Sequence, residues 1–310
     1  MSNAVDPQRP LRAVSVSQGS SSRDAKLEME LLGRRVLLER IGTDGDVAAA
    51  AHLYEALRDE VDAFGLGGSD LELRVGGRSY RIRESVRLAR HAGATPVVCG
   101  AGLKATLERR AVEALAGEVG WQGRRVLLPS AVDRWGMAEA LAEAGAELLI
   151  GDFAFLLGLP IPQRDLAAFE RRVRWIAPVV VQLPMKWIYP TGAKQERPER
   201  GWRARWFAEA EVLAGDWHLI SRYAPQDLSG KLVLTNTTTA ADLSDLAQRG
   251  ARMVATTTPR LSGRSLPTNL LEAALVAIAG RHPLSDADLG ALVNEAGLTP
   301  DVWRAPSSEV

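Results

Sequence analysis

The chain has 310 residues, enough for about two domains, and its 46% hydrophobic and 25% charged residues are typical of a folded globular protein. Its 38 basic residues balance its 38 acidic residues, so no overall positive charge is available to hold nucleic acid or an anionic membrane. The single cysteine, Cys99, excludes an internal disulfide framework and a cysteine-rich metal site.

No apolar run approaches the roughly 20 residues that a membrane span needs. Residues 1–10 also lack the apolar segment of a signal peptide. We therefore expect a cytoplasmic protein that has no membrane or nucleic-acid partner.

The first part of the chain predicts strands, helices and two hairpins. In chain order they are a strand at 11–17, a hairpin at 27–38 turning at Gly33, a helix capped by Asp46 and ending near residue 60, a strand at 61–66, a hairpin at 71–83 turning at Gly76-Gly77, a helix at 84–92, a strand at 95–99 and a helix at 103–119. The hairpins indicate that the sheet of this part is mixed rather than purely parallel.

After Gly120 the pattern changes to short apolar strands that alternate with helices. The predicted strands are 124–129, 147–150, 179–183, 217–221, 231–234 and 253–255. The predicted helices are 135–144, 165–176, 202–214, 240–249, 270–279 and 286–295. Such alternation is typical of a parallel sheet covered on both faces.

The predicted fold class is thus α/β with two lobes. A disordered leader occupies residues 1–10, a mixed-sheet N-terminal α/β domain 11–120, a Rossmann-like and mostly parallel domain 121–282, and a C-terminal helix and tail 283–310.

The turn Gly100-Ala101-Gly102 joins a predicted strand to a helix that begins near Lys104. The exposed N–H groups of that helix start could hold an anion, with Lys104 as counter-charge. Only five lysines accompany 33 arginines in this chain, so each lysine is a slightly better functional candidate. A tight structural turn explains the same residues about as well.

A second strand–turn–helix unit contains Ser130, Asp133, Arg134 and Gly136. The next strand ends shortly before Asp152, where a dinucleotide-binding fold would hold a ribose hydroxyl. We therefore assign these residues to cofactor binding. The alternative is an ordinary turn, because the loop contains few glycines.

Hydroxyl and amide side chains follow two predicted strands near their carboxyl ends. They are Asn236, Thr237, Thr238, Thr257 and Thr258. Such groups suit phosphate or carboxylate oxygens, which suggests a shared cofactor site; strand formation and helix capping are the alternative.

Three basic residues are candidate substrate ligands. Lys186 and Lys194 share a connection with a Trp and a Tyr directly after a predicted strand, as a lid or substrate loop would, although a structured connection is an equal alternative. Arg264 could clamp a carboxylate. His218 is a candidate proton-transfer group, although a structural role is more common, and the four histidines show no metal-ligand spacing.

Several loops together resemble one bacterial family, quinate 5-dehydrogenase. They are 20–24, 39–46, 64–71, 102–109, 133–141, 189–195, 235–239 and 256–265. The resemblance implies hydride transfer between a nicotinamide cofactor and an alicyclic hydroxy acid such as quinate or shikimate. It also implies a substrate domain first, a cofactor domain second and a site in the cleft between them.

The resemblance implies roles for individual residues as well. Thr43-Asp44-Gly45 is similar to the Asn-Thr-Asp-Gly motif of the shikimate and quinate dehydrogenases, so Asp44 is the catalytic candidate. Lys104 is its candidate acid–base partner from its position in the fold. The loop Ser20, Ser21, Ser22 and Arg23 would hold the substrate carboxylate.

The expected cofactor is NAD or NADP. NAD is favoured because Asp152 would repel a 2′-phosphate. Two alternatives stay open: another small-molecule enzyme that acts on a phosphorylated or carboxylated metabolite, or a non-catalytic metabolite-binding sensor. Binding of NAD or NADP would distinguish the dehydrogenase from the two alternatives. Turnover of a substrate would distinguish either enzyme from a sensor.

Overall fold

The structure, a computed structural model, describes residues 9–183, 201–261 and 264–305. It contains two α/β lobes, each built around a mostly parallel sheet with one antiparallel edge strand, which confirms the predicted two-lobe α/β class. Within these residues, no helix is both long and apolar enough to cross a membrane.

The first lobe carries a five-stranded sheet in the order β2-β3-β1-β4-β7. Its elements are β1 (Leu11–Ser17), β2 (Ala25–Leu31), β3 (Arg34–Gly42), α1 (Val47–Leu57), β4 (Ala63–Gly67), β5 (Glu72–Val75), β6 (Arg78–Arg81), α2 (Arg83–Ala89), β7 (Val97–Val98) and α3 (Ala101–Val119). Both predicted hairpins are present, because β2 pairs antiparallel with β3 and β5 with β6. The other pairings of the sheet are parallel.

The second lobe carries a six-stranded sheet in the order β15-β12-β11-β10-β8-β9. The remaining elements are β8 (Arg125–Leu128), α4 (Trp135–Glu143), β9 (Glu147–Ile150), α5 (Asp152–Phe155), α6 (Leu166–Val180), α7 (Ala204–Glu209), β10 (Val212–Gly215), α8 (Trp217–Tyr223), β11 (Leu232–Thr235), α9 (Ala240–Gln248), β12 (Met253–Thr256), β13 (Arg260–Leu261), β14 (Arg264–Ser265), α10 (Thr268–Ala279), α11 (Asp286–Glu295) and β15 (Asp301–Arg304).

The five parallel strands of the second lobe, counted along the chain, lie in the order 2-1-3-4-5. This is one of the two common doubly wound orders. It differs from the 3-2-1-4-5-6 order of dinucleotide-binding sheets that the Rossmann-like prediction implied. The parallel strands of the first lobe follow the same start, 2-1-3-4.

Three predicted elements of the second lobe are wrong. The valines predicted as a strand at 179–183 instead prolong α6, which runs through Pro178 to Val180. The predicted helix at 202–214 ends at Glu209, and its last residues form β10. The predicted strand at 217–221 is α8, because the Asp216 carboxylate caps its first N–H groups.

Helix α3 belongs to both lobes. Leu103 and Leu107 pack in the core beneath the first sheet, whereas Ala111, Leu115 and Val119 pack in the core of the second. The chain crosses twice more between lobes. It returns after β12 to place α10 against β1 and β4, and it leaves again after α11 to add β15 to the second sheet.

Candidate functional site

Loops from the two lobes meet where the parallel strands end. The Lys104 ammonium, in the first turn of α3, donates to Asp133 Oδ1 at 3.0 Å and to Asp70 Oδ2 at 3.4 Å. Asp70 follows β4 of the first lobe, whereas Asp133 follows β8 of the second. Arg23, beyond β1, places Nη1 3.3 Å from Nε2 of His218, beyond β10. The carboxyl edges of the two sheets therefore face each other.

Six charged side chains at this junction form what we call the interlobe ion cluster: Asp70, Lys104, Glu108, Asp133, Arg134 and Asp216. Arg134 is its centre, with a side chain only 5% exposed. It donates to Glu108 Oε1 at 3.2 Å and to Asp216 Oδ2 at 2.9 Å, and its Nε lies 3.1 Å from Asp133 Oδ2. One guanidinium thus connects α3 with two strand ends of the second lobe.

The cluster has four carboxylates and two cations, and burial together with these charges shifts several of its pKa values. Burial raises the pKa of Asp70 to about 6 and that of Glu108 to about 7. Burial alone would also raise the pKa of Asp133, but the charges of Lys104 and Arg134 outweigh it and hold that pKa well below its usual range. With four carboxyl groups and only two cations, the cluster is not an anion-binding site of the ordinary positively charged kind.

A cavity of about 30 Å³ lies against Asp70, Lys104, Glu108 and Asp133. That volume holds one or two water molecules rather than an organic ligand. An organic ligand is therefore too large for this cavity while the Lys104–Asp133 contact is in place.

Polar side chains after β11 extend the site on the second lobe. Asn236 donates to Asp216 Oδ2 at 2.9 Å and accepts from the Trp217 N–H at 3.1 Å, so it holds the cluster carboxylate in place. Thr238 is 7% exposed, and its buried hydroxyl has no hydrogen-bond partner among the described residues. A buried hydroxyl without a partner costs about 1–3 kcal/mol, so Thr238 is a candidate ligand contact.

Two other threonines at this edge, Thr257 and Thr258, make hydrogen bonds or close polar contacts within the protein. The Thr257 N–H donates to the Thr235 carbonyl at 2.7 Å, and the hydroxyls of Thr258 and Thr268 lie 3.5 Å apart. Both Thr257 and Thr258 are buried, whereas Thr237 is half-buried. Their geometry supports the turns that follow β11 and β12.

The structure does not assemble the predicted acid–base pair of Asp44 and Lys104. The Asp44 carboxylate accepts the Ser21 N–H at 2.9 Å and so closes the loop after β1, where the hydroxyls of Ser20 and Ser22 also bond to each other at 2.8 Å. Lys104 pairs with Asp70 and Asp133 instead. The positive φ of 52° at Asp44 fits this turn role.

Asp152 does not offer its carboxylate to a ribose. Its two oxygens accept the N–H groups of Ala131 and Val132 at 2.8 and 3.1 Å, and the Ser130 hydroxyl lies 3.4 Å away. The carboxylate thus holds the loop after β8 in place, which corrects the cofactor role predicted for Asp152 and Ser130. The expectation of NAD or NADP itself stays a prediction.

Gly136 serves helix packing. A Cβ at this position would lie 2.8 Å from the Cα of Ala105, so only glycine allows α4 to approach α3 this closely. The predicted substrate ligands Lys186 and Lys194 lie outside the described residues, as does the side chain of Arg264 within β14.

Sequence reasoning did not select Glu108 and Asp216 for the site. Glu108 is a carboxylate directly after Leu107 on the buried face of α3, and Asp216 directly follows a fully buried strand. A carboxylate on the buried face of a helix or directly after a buried strand could have identified both residues, because a buried carboxylate needs a cation or hydrogen-bond donors as partners.

Comparisons with families and solved structures give the following matches. Residues 102–305 match the family model described as Domain of unknown function (DUF8754), and residues 12–99 match Domain of unknown function (DUF8753). No curated protein matches the chain.

Three solved structures illustrate the structural comparison. A sugar ABC transport substrate-binding protein from Bordetella parapertussis gives a TM-score of 0.37 at 14% identity, over 90% of this chain and 83% of that one. Malic enzyme from Entamoeba histolytica gives a TM-score of 0.41 at 11% identity, over 92% of this chain and 62% of that one. A solute-binding protein of an ABC transporter from Burkholderia multivorans gives a TM-score of 0.38 at 12% identity, over 95% of this chain and 99% of that one. At these TM-scores the likenesses assign no function.

The resemblance to quinate 5-dehydrogenase is wrong. The family models that match residues 12–99 and 102–305 are those of two domains of unknown function, and neither is a dehydrogenase model. The dehydrogenase function that this resemblance implied is wrong as well, and Asp44 and Lys104 form no acid–base pair.

Proposed function

The chain belongs to the family Domain of unknown function (DUF8754), and we propose that it is a non-catalytic binding protein for a small polar metabolite held between its two lobes. One observation carries this proposal: the carboxyl edges of both parallel sheets face each other and share the interlobe ion cluster.

The position of the cluster follows from the strand orders. Open α/β sheets bind ligands beyond the carboxyl ends of their strands, where the strand order reverses. In the first lobe this point lies between β1 and β4, and in the second between β8 and β10. Asp70 follows β4, Asp133 follows β8 and Asp216 follows β10, so cluster residues come from both reversal points.

The charges of the site favour a neutral ligand with several hydroxyl groups. Lys104 and Arg134 supply donors, and Asp70 and Asp216 supply acceptors, so hydroxyls that both donate and accept can be matched. Because the cluster has four carboxylates and only two cations, it favours such a neutral ligand over a phosphorylated or carboxylated one. This charge balance disfavours the alternative enzyme that acts on such an anion.

Thr238 gives the proposal its sharpest test. Thr238→Val removes the hydroxyl that has no hydrogen-bond partner among the described residues, and it keeps the shape of the side chain. We expect this variant to bind the ligand about tenfold or more weakly, since a lost hydrogen bond in a binding site costs about 1–2 kcal/mol. Thr95→Val is the matched control, because the Thr95 hydroxyl donates to the Arg58 carbonyl in a distant loop of the first lobe.

The experiment is a thermal-shift screen of neutral sugars and polyols, each paired with its phosphorylated form, followed by titration calorimetry on any compound that raises the melting temperature. The proposal predicts that neutral compounds bind, that Thr238→Val weakens them and that Thr95→Val does not. Chemical conversion of the bound compound, or binding of phosphorylated forms alone, would contradict it.

A further inference from the structure

A groove with the opposite charge lies at the other edge of the second sheet. Its cavity, about 250 Å³, is far larger than the 30 Å³ beside the interlobe ion cluster. Arg125 begins β8, while Glu211, Lys231 and Arg252 directly precede β10, β11 and β12. Because these strands are parallel, their amino ends meet here, away from the interlobe cleft.

Among the described residues, four cations and one carboxylate line this amino-edge groove. They are Arg124, Arg125, Lys231 and Arg252, with Glu211 as the carboxylate. Glu211 accepts from Arg124 Nη1 at 2.8 Å and from Arg125 Nε at 3.4 Å, so both of its oxygens are used. Three positive charges therefore remain without a carboxylate of the groove to balance them.

Two of the four cations, Arg124 and Lys231, bond to backbone carbonyls at the ends of helices, and the other two make no such bond within the described residues. Arg124 Nε donates to the Val119 carbonyl at 3.2 Å and Lys231 Nζ to the Ala210 carbonyl at 2.7 Å, as basic side chains commonly do beyond helix C-termini. The Arg252 guanidinium makes no hydrogen bond or ion pair with any residue that the structure describes. The nearby Glu118 carboxylate is occupied by Arg304, at 2.6 and 2.8 Å.

The electrostatics of Lys231 agree with an unbalanced positive groove. Burial lowers the pKa of the Lys231 ammonium; Arg125 adds to this effect, while Asp227 and Glu211 oppose it without reversing it. A bound anion would favour the charged form of this ammonium.

We propose that the amino-edge groove binds a small phosphate-bearing anion. The guanidinium of Arg252 and the Nη groups of Arg125, whose Nε is the atom that contacts Glu211, can each donate to phosphate oxygens. Guanidinium and phosphate pair through two parallel hydrogen bonds. Lys231 adds a point charge from the adjacent strand end. This site is separate from the proposed metabolite site and has the opposite charge preference.

Inorganic phosphate is the probe, titrated by calorimetry at pH 7.5 with the ionic strength held constant by sodium chloride. We expect saturable binding that falls about tenfold, or about 1.4 kcal/mol, in Arg125→Gln and in Arg252→Gln, because each loses its charge-assisted hydrogen bonds to the phosphate. Arg87→Gln, at an exposed arginine of α2, is the matched control and should bind as the unaltered protein does.

Circular dichroism melts establish that each variant is folded before the titration. Thr238→Val should keep full phosphate binding, which separates this site from the interlobe one. The proposal is overturned if chloride at equal ionic strength gives the same heat, if both groove variants bind like Arg87→Gln, or if Thr238→Val abolishes the binding.

Discussion

Replacing Arg134 by methionine tests the interlobe ion cluster most sharply. Methionine keeps part of the apolar stem but removes the guanidinium that contacts Glu108 and Asp216 at 3.2 and 2.9 Å. The Glu108 side chain is only 1% exposed, so its carboxylate would remain in the interior without this cation. Breaking a buried ion pair from one side costs about 3–5 kcal/mol, and we expect a loss of that size in the free energy of unfolding at pH 8.

The loss should also depend on pH, because Glu108 can become neutral. Burial raises its pKa to about 7 even beside Arg134, and the pKa rises further when this cation is removed, so between pH 6 and pH 8 the native variant binds more protons than the unaltered protein. A protonated Glu108 needs no cation. The cost of Arg134→Met should therefore shrink by about 1 kcal/mol or more between pH 8 and pH 6.

Denaturant unfolding followed by circular dichroism measures both effects, with Arg109→Met as the matched control. Arg109 neighbours Glu108 on α3, but its side chain is 38% exposed and pairs with Glu143 at the surface. Such a surface pair contributes about 0–1 kcal/mol. If Arg134→Met costs no more than Arg109→Met at pH 8, the cluster is not the buried interlobe network described here.

Stability should respond to pH, to helix packing and to Thr238 in three further ways. Lowering the pH from 8 to 5 should raise the free energy of unfolding, because burial raises the pKa of Glu108 and Glu272 to about 7 and the native state therefore binds more protons than the unfolded state. This stabilisation is complete below about pH 4.5 and is lost as the pH rises through 7. Thermal melts at constant ionic strength test this prediction. Gly136→Ala should lower the free energy of unfolding by about 1–3 kcal/mol, because α3 occupies the space that its Cβ would need. Gly117→Ala, whose Cβ would lie in open space on α3, should raise it by up to about 1 kcal/mol. Equal melting temperatures for the two variants would contradict this. Thr238→Val should leave the unliganded protein at least as stable, by up to about 1 kcal/mol in denaturant unfolding, and a clear destabilisation would reveal a partner for that hydroxyl.

Local signals in the sequence predicted much of the fold. Gly33 and the pair Gly76-Gly77 adopt the positive φ that their turns require, so the two hairpins follow from these glycines. Asp46 caps α1 as expected, accepting two N–H groups of its first turn. These features depend on neighbours in sequence, and a single sequence contains that information.

Features that depend on distant parts of the chain could not be predicted in the same way. Helix α10 is buried on almost all sides, so its pattern does not indicate which sheet it covers, and it packs against the first sheet. The partners of Lys104, Asp70 and Asp133, lie 34 and 29 residues away in sequence, in the loops after β4 and β8. The valines after Pro178 have strand propensity, but their helix continues because Ala177 and Val181 pack inward.

The most direct test of the central claim is titration calorimetry with the best neutral compound from the screen, with the compound recovered and weighed by mass spectrometry afterwards. The account predicts saturable binding, a loss of about tenfold or more in Thr238→Val, full binding in Thr95→Val, and a ligand of unchanged mass. Equal affinity in all three proteins, or a recovered ligand that has been converted to a product, would contradict a non-catalytic site between the lobes.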